Sequence, residues 1–257
     1  MITFFDIPCR TMGRAWSPNT WKVRYCLNYR SIPYHTEWVE LSDIEKLCTT
    51  RGIPPSKINS EGQKSYTLPA IYNSDDGTYV SDSATIMRYL DGIYPQRPLA
   101  FPKGTVVLQT AFLSAFVPKV LAPLWSVIVP AVAMNLNPRS KVYFENTREI
   151  TFGRSIKGLD EDVAGRDASW ARFKAGLGDI DRWISRSEDA SPHAEVHDHV
   201  FVMGSEPVFA DFVIAATLAY MRNVWGEESV EWKEVQGWHG GRWARFAGSL
   251  RKYERVV

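Results

Sequence analysis

Cysteine is scarce in this sequence, and its few positions form no disulfide or metal framework. The 257 residues include three cysteines, Cys9, Cys26 and Cys48, and no C-x-x-C pair. Such usage is typical of a reducing compartment. Cys26 falls within a helical pattern and is interpreted as a small buried hydrophobe. Cys9 lies in a loop beside Arg10 and is kept as a candidate redox thiol.

An excess of charge of either sign is also missing. Thirty Lys and Arg residues stand against 29 Asp and Glu residues, which gives a formal net charge of +1. This balance generates no extended field for nucleic acid or an anionic membrane, so neither is expected as a partner. The N-terminal residues MITFFDIPCR lack the basic start, the long apolar middle and the small-residue cleavage site of a secretory signal. The sequence therefore predicts a cytoplasmic protein.

One apolar run, residues 111–134, is long enough to raise the question of a membrane span. It contains Lys119 and three prolines, Pro118, Pro123 and Pro130, each of which removes a backbone donor. A lone spanning helix with this composition would be a poor one, because backbone groups in lipid must be satisfied internally. We expect instead a buried, kinked helix pair within a helical domain.

Strand and helix patterns alternate over the first ninety or so residues. The periodicity predicts strands at ITFFD and YHTEWVEL, a helix at 19–29 between them, and mixed helical and loop structure at 42–58. A hairpin turn at 73–77 joins two further strands, and Ser81-Asp82-Ser83 opens the next helix. The order β-α-β-α-β-β-α predicts a thioredoxin-like α/β domain.

The second half of the chain has almost only helical patterns. It follows a segment with three prolines and one glycine, YPQRPLAFPKG, which has the composition of a linker. Helices are expected at roughly 105–135, 138–152, 167–188, 207–225 and 238–253, with one short strand at 200–204. The sequence therefore predicts a thioredoxin-like domain at 1–94, a linker at 95–104 and an all-helical domain at 105–257.

Ser17-Pro18 opens the first predicted helix. Proline in the first helical turn is preorganised and loses no hydrogen bond. Ser17 either caps this helix or turns its hydroxyl toward a bound thiol, where the positive end of the helix dipole would also favour a thiolate. A hydrolase triad is set aside because no G-x-S-x-G elbow surrounds Ser17.

Two more dipeptides point to a peptide-like ligand. A cis bond at Leu68-Pro69 would turn the backbone of Leu68 outward to pair with an extended peptide, whereas a trans proline at a strand edge would have no such role. Asp82-Ser83 opens a helix whose N-terminus suits a carboxylate, with the Ser83 hydroxyl as donor and Asp82 as partner of an ammonium group. The alternative is plain N-capping by Ser81 or Asp82.

With these motifs in this order, the chain resembles the cytosolic glutathione transferases over essentially its whole length. The stretches SPNTWKVRYCLNYRSIPYHTEWVEL, YTLPAIY and YVSDSATIMRYLD make it most like their fungal-specific FuA class, which is related to bacterial lignin β-etherases. The resemblance implies a glutathione transferase fold, a homodimer, glutathione as co-substrate and no metal. It implies a detoxifying transferase in which a serine-stabilised thiolate attacks hydrophobic, aromatic electrophiles, aryl ethers or peroxides. The alternative is a ligandin-type protein that binds aromatic or polyphenolic compounds with little turnover.

The resemblance also assigns site residues. Ser17 stands at the position of the thiolate-stabilising serine, and Leu68, beside Pro69, matches the residue whose backbone pairs with the cysteinyl part of glutathione. Asp82 and Ser83 match the pair that holds the γ-glutamyl end. Further candidates are Lys57, Gln63 and Lys64 for the glycine carboxylate, Asn19 as a second donor near the sulfur, and Phe112, Phe116, Trp125 and Tyr143 for the hydrophobic pocket.

The resemblance breaks at the core helix of the second half. Transferases of this superfamily begin that helix with Ser or Thr followed three residues later by Asp, a capping box. Here Val208 holds the cap position before Asp211. The missing hydroxyl predicts a helix start weaker by about 1 kcal/mol, or an Asp211 that bonds the backbone alone.

His193, His197 and His199 have spacings that would suit a metal. Their surroundings are polar and show no helical continuity that would place the rings on one face, so a solvated loop is favoured.

Overall fold

A computed structural model describes residues 1–11, 13–189 and 200–257. Its first half is built on a four-stranded sheet of β1 (Ile2–Asp6), β2 (Tyr34–Trp38), β5 (Ala70–Asn73) and β6 (Thr78–Ser81), in the order β2-β1-β5-β6. β1 and β2 are parallel, with Phe4 opposite Thr36, and the other two pairings are antiparallel. The helices of this half are α1 (Pro18–Tyr29), α2 (Ile44–Arg51) and α3 (Ser83–Ile93). The thioredoxin-like order expected from the sequence is confirmed.

A small hairpin inserted after α2 was not predicted. It consists of β3 (Lys57–Ile58) and β4 (Lys64–Ser65), which pair antiparallel with Lys57 opposite Ser65. All four residues are exposed, so they carry no alternation of apolar and polar side chains from which a strand would be read.

Helices make up the second half, as expected. In chain order they are α4 (Val106–Phe116), α5 (Ala122–Asn135), α6 (Pro138–Phe152), α7 (Ile156–Glu161), α8 (Val163–Asp189), α9 (Phe209–Trp225), α10 (Val230–Gly237) and α11 (Arg242–Leu250). The strand expected at 200–204 is wrong, because Phe201 and Gly204 form only an isolated bridge across a tight turn. A strand needs a partner strand, and this short segment pairs with itself.

The apolar run forms one long helical rod rather than a pair of separate helices. A π-helix at Val117–Leu121, which contains Pro118, joins α4 to α5 without a break. The rod Val106–Asn135 is long and apolar enough to cross a membrane by length and composition alone. One side of it packs on α8 and α9, where Phe116, Val120, Leu124 and Ile128 are fully buried. The rod is thus packed on one side only, and 39% of an apolar 18-residue stretch of it is buried, less than expected for a buried helix pair.

A buried ion pair fixes α1 on the sheet. Arg24 Nη2 lies 2.6 Å from Asp6 Oδ2 at the end of β1, and both side chains are fully buried. Arg24 Nη1 also donates to the hydroxyl of Tyr34 on β2 at 3.1 Å, and the guanidinium lies over the Phe4 ring. Because every residue from Thr20 to Asn28 is buried and α1 packs against α3 and α9, the start of α1 has a defined position relative to the sheet.

Asp211 organises the start of α9 through backbone hydrogen bonds. Its Oδ1 accepts from the N–H of Val202 at 2.8 Å and its Oδ2 from the N–H of Val208 at 2.9 Å. Burial raises the pKa of Asp211 to about 7, although these N–H donors oppose the shift. Of the two outcomes expected at this helix start, the structure has Asp211 bonding the backbone.

Candidate functional site

A cleft of about 530 Å³ lies between the sheet-bearing half and the helical half. Its polar wall comes from the start of α1 and from the segment after β4; its apolar wall comes from the α4–α5 rod and from α6. The polar wall includes Ser17, Asn19, Lys22, Ser65, Tyr66, Thr67 and Leu68. The opposite wall includes Leu113, Val117, Leu121, Trp125, Tyr143, Phe144, Thr147 and Arg148.

Ser17 occupies the N-cap position of α1, but its side chain does not cap the helix. The backbone is extended there, at φ −64° and ψ 127°, and the hydroxyl makes no hydrogen bond to any residue that the structure describes. The preceding loop is held by two donors on the carbonyl of Ala15, Trp21 Nε1 at 3.2 Å and Asn223 Nδ2 at 3.1 Å. The hydroxyl of Ser17 therefore faces the cleft from a fixed backbone, beside the positive end of the helix dipole.

Leu68 presents an unpaired backbone to the same cleft. The Leu68-Pro69 bond is cis, and the Leu68 side chain is buried at 2% exposure. Within the described part of the chain, neither the N–H nor the C=O of Leu68 forms a hydrogen bond. Buried backbone groups are almost always paired, so these two are suited to a ligand with a peptide backbone.

Asp82 caps α3 from a backbone conformation that non-glycine residues rarely adopt. Its φ is 73° and ψ is 132°, and its Oδ1 accepts from the N–H of Thr85 at 3.0 Å and from the Thr85 hydroxyl at 3.1 Å. Ser83 is buried, and its hydroxyl makes no hydrogen bond to the described residues. Asp82 Oδ1 therefore caps the helix, which is the alternative role considered for Asp82. An outlier of this kind costs about 1–3 kcal/mol and is typical of functional sites.

Lys22 is a site residue that sequence reasoning missed. It lines the cleft at 6% exposure and forms no ion pair with a described residue. Burial lowers the pKa of Lys22 to about 8, and the negative charge of Asp82 opposes this shift. The sequence carried no clear signal for it, because the burial of every residue from Thr20 to Asn28, Lys22 included, is seen only in the structure.

The candidates for a carboxylate contact on the hairpin lie outside the cleft. Lys57 and Lys64 are exposed on β3 and β4, and the side chain of Gln63 accepts a hydrogen bond from Asn59 Nδ2 at 2.9 Å. None of the three is among the residues that line the cleft, whereas Ser65, opposite Lys57 in the hairpin, is.

Of the four aromatic residues expected at the hydrophobic pocket, two line the cleft and two do not. Trp125 and Tyr143 line the cleft and are 41% and 44% exposed. Phe112 and Phe116 stack on each other, with their ring centroids 5.7 Å apart. Neither is among the described residues that line the cleft, and Phe116 is fully buried. Leu113 and Val117, each one position further along the helix, line the cleft in their place, in one series with Leu121 and Trp125.

The three cysteines are buried and free. Burial raises the pKa of the Cys9 thiol, whose sulfur lies 2.8 Å from the Thr11 hydroxyl. These surroundings do not favour the thiolate that a redox role for Cys9 requires. His193, His197 and His199 lie outside the described residues, so the solvated loop expected there stays a prediction.

Comparison with known proteins identifies relatives over the whole chain. The family profiles described as "Glutathione S-transferase, N-terminal domain" and "Glutathione S-transferase, C-terminal domain" match residues 16–93 and 107–253. The glutathione S-transferase-like protein ustS of Aspergillus flavus is 30% identical over an alignment of 271 positions that covers 92% of this chain and 92% of that protein.

Two solved structures are also similar along their full length. A glutathione S-transferase of Ceriporiopsis subvermispora in complex with glutathione has a TM-score of 0.91 and 37% identity, covering 100% of this chain and 98% of that one. Glutathione transferase GSTFuA3 from Phanerochaete chrysosporium has a TM-score of 0.90 and 36% identity, with coverage of 100% and 98%.

Proposed function

Because the chain belongs to the glutathione S-transferase family, we propose that it binds glutathione beside Ser17 and joins it through its sulfur to a hydrophobic, aromatic electrophile. The resemblance to this superfamily and to its FuA class, read from the sequence, is confirmed by the relatives just described. The observation that carries the proposal is the Ser17 hydroxyl, which faces the cleft at a helix N-terminus without a hydrogen-bond partner among the described residues.

In the proposed mechanism the glutathione thiol gives its proton to solvent, and the resulting thiolate accepts a hydrogen bond from Ser17 Oγ. The dipole of α1 adds to this stabilisation, and Asn19, also at the start of α1, is proposed as a second donor. The thiolate then attacks the electrophilic carbon, where a sulfur–carbon bond forms and the leaving group departs with the electron pair. Serine offers no thiol of its own, so conjugation or peroxide reduction is favoured over deglutathionylation.

The remaining contacts with glutathione are proposed from the sequence motifs and from the unpaired backbone of Leu68. We assign the cysteinyl backbone to the N–H and C=O of Leu68, and the γ-glutamyl end to Asp82 and Ser83. Lys22 supplies a positive charge for a tripeptide that carries two carboxylates and one ammonium group. Lys57 and Gln63, on the neighbouring hairpin, remain proposed contacts for the glycine carboxylate.

The proposal includes the organisation of the molecule. Residues 1–94 form the glutathione-binding domain, 95–104 the linker and 105–257 the domain that supplies the substrate pocket. The working form is a cytoplasmic homodimer, as is common in this family.

Ligand storage is the second candidate function, because Trp125 and Tyr143 offer two partly exposed aromatic rings to the cleft. In that case aromatic or polyphenolic compounds bind while no electrophile, aryl ether or peroxide turns over.

Substitution of Ser17 by alanine tests the transferase. Loss of one hydrogen bond to a charged group costs about 1.5–3 kcal/mol, so the pKa of bound glutathione should rise by about 1–2 units. The thiolate absorbance of the glutathione complex, titrated from pH 5 to 9, measures this shift directly. Ser114→Ala is the matched control, since that hydroxyl is exposed on α4 and donates to the Thr110 carbonyl rather than to the cleft. An unchanged thiol pKa in Ser17→Ala, with glutathione still bound, would refute the role given to Ser17.

A further inference from the structure

The residues that line the cleft include positive charges, and Asp82, which does not line it, offsets only the charge of Lys22. Among the described residues that line it, Lys22 and Arg148 are the charged ones and no Asp or Glu is present. Lys22 lies on the polar wall with Ser17, whereas Arg148 lies on the opposite, aromatic wall. Glutathione accounts for a cation on the polar wall, but it gives no reason for an arginine on the wall that faces the second substrate.

Arg148 is held in place by aromatic rings. It follows Phe144 by four residues on α6, so the two side chains share one face of the helix. The guanidinium carbon lies 4.7 Å from the centroid of Phe144 and 5.3 Å from that of Trp125. Packing of this kind orients the guanidinium plane and leaves its N–H edge available for planar recognition of an anion.

No anionic partner of Arg148 exists in the described part of the chain. Its side chain forms no hydrogen bond or ion pair there, and its Nε is buried without a partner. Many arginines of the helical half have a partner, either an ion pair or a polar group. Ion pairs include Arg139–Asp43, Arg154–Asp162, Arg166–Asp160, Arg182–Asp179, Arg222–Glu254 and Arg251–Glu227, while Arg172 donates to the Ser169 hydroxyl and Arg245 to the Gly240 carbonyl. A half-buried guanidinium without such a partner is costly unless a ligand supplies the anion.

We propose that Arg148 selects second substrates in which an aromatic ring carries a carboxylate. This inference rests on the proposed transferase function and deepens it. The substrate ring packs against Trp125 and Tyr143, and its carboxylate receives two parallel N–H hydrogen bonds from Arg148. Arg148 acts on binding and selection, while the thiolate beside Ser17 performs the displacement.

Two chloronitroarenes test this selection, one with a charged carboxylate on the ring and the other with a neutral carboxamide in the same place. In 4-chloro-3-nitrobenzoate and 4-chloro-3-nitrobenzamide the glutathione thiolate forms a sulfur–carbon bond, chloride leaves with the bonding electrons, and the thiol proton passes to buffer. The ratio of kcat/KM for the two, divided by the ratio of their uncatalysed rates with glutathione, isolates what the protein contributes.

We expect the corrected ratio to favour the benzoate by about tenfold or more in the wild type, the effect of one charge-assisted contact. Arg148→Gln should bring the ratio to about one, and Arg148→Lys should restore part of it. Arg154→Gln is the matched control, because Arg154 lies just beyond the end of α6, outside the cleft, and pairs with Asp162. A corrected ratio near one in the wild type, or an unchanged ratio in Arg148→Gln, would overturn the proposal.

A binding measurement separates this inference from the proposed function. Calorimetry of the two S-aryl glutathione conjugates, with carboxylate or carboxamide, needs no turnover. If no electrophile reacts but the carboxylate conjugate binds about tenfold tighter and loses this advantage in Arg148→Gln, the transferase proposal fails and the role of Arg148 stands. If both conjugates bind equally while Ser17-dependent turnover is observed, the role of Arg148 fails and the transferase stands.

Discussion

Gln109 Oε1 accepts a hydrogen bond of 3.0 Å from the backbone N–H of Ala210, one of the donors left open at the start of α9. The amide nitrogen of the same side chain donates to the Ala100 carbonyl at 3.2 Å and to the Thr105 hydroxyl at 2.9 Å. A residue of α4 thus supplies the acceptor that the hydroxyl of a usual cap would provide at Val208. Asp211 completes the helix start by accepting from the N–H of Val208.

Substitution of Gln109 by alanine should therefore destabilise the protein. Because the N–H of Ala210 is buried, its loss of a partner should lower the free energy of unfolding by about 1–2 kcal/mol. Denaturant unfolding measures the change, and Gln96→Ala, an exposed glutamine in the proposed linker, is the control. Val208→Thr restores a capping hydroxyl and should recover about half of the loss in the Gln109→Ala background. Equal stability of Gln109→Ala and wild type would show that α9 needs no cap from α4.

The ammonium group of Lys22 should give glutathione binding a pH dependence near pH 8. With a native pKa of about 8, Lys22 is charged below this pH and loses its proton as the pH rises through it. Affinity for an anionic tripeptide should fall over the same range. S-methylglutathione is the ligand of choice because it has no thiol to titrate.

Lys22→Met should bind S-methylglutathione about tenfold more weakly at pH 7, a loss of about 1.4 kcal/mol, and should lack the component of pH dependence near pH 8. The γ-glutamyl amine titrates equally in both proteins, so it cancels in the comparison. Lys103→Met changes an exposed lysine and serves as control. Parallel pH profiles for wild type and Lys22→Met would exclude Lys22 from the glutathione site.

Gly176 on α8 permits close packing against the π-helix of the rod. A Cβ at this position would lie 2.0 Å from the carbonyl oxygen of Lys119, a backbone atom that cannot rotate away. Gly176→Ala should therefore cost about 3 kcal/mol of unfolding free energy. The substitution should also lower the affinity for aromatic ligands, since Val117 and Leu121 of the same π-helix line the cleft. Gly248→Ala in α11, where a Cβ meets nothing within 4 Å, should be neutral or stabilising by about 1 kcal/mol. Equal stability of the two variants would contradict this packing.

Features encoded by adjacent residues could be predicted from the sequence, whereas features that depend on contacts between distant residues could not. Ser17-Pro18 and Asp82-Ser83 are helix starts, whose chemistry is written in adjacent residues, and their positions in the fold were predictable. Phe112 could not be distinguished from Leu113 as a cleft residue, because the rod is apolar on nearly every face and the two look equivalent in sequence. Gln109 could not be recognised as a cap, since its partner lies 101 residues away.

The C-terminal residues should stabilise α1 from outside the cleft. The Tyr25 hydroxyl donates to Glu254 Oε1 at 2.7 Å, and Glu254 also pairs with Arg222, which is 4% exposed. Glu254→Gln keeps an acceptor for Tyr25 but leaves the Arg222 charge without its main partner, so we expect a loss of about 3 kcal/mol. Glu61→Gln, an exposed position in the β3–β4 turn, is the control.

Hydrogen exchange distinguishes an effect on α1 from a general loss of stability. Because Asn28 Nδ2 also donates to the carbonyls of Tyr253 and Arg255, loosening of this segment should speed exchange most in α1. Faster opening of α1 would move Ser17 away from its position beside the cleft, so affinity for glutathione should fall together with the protection of these amides. If exchange in Glu254→Gln accelerates equally in α1 and in α8, which does not contact this segment closely, the C-terminal residues contribute to stability alone and do not position the site.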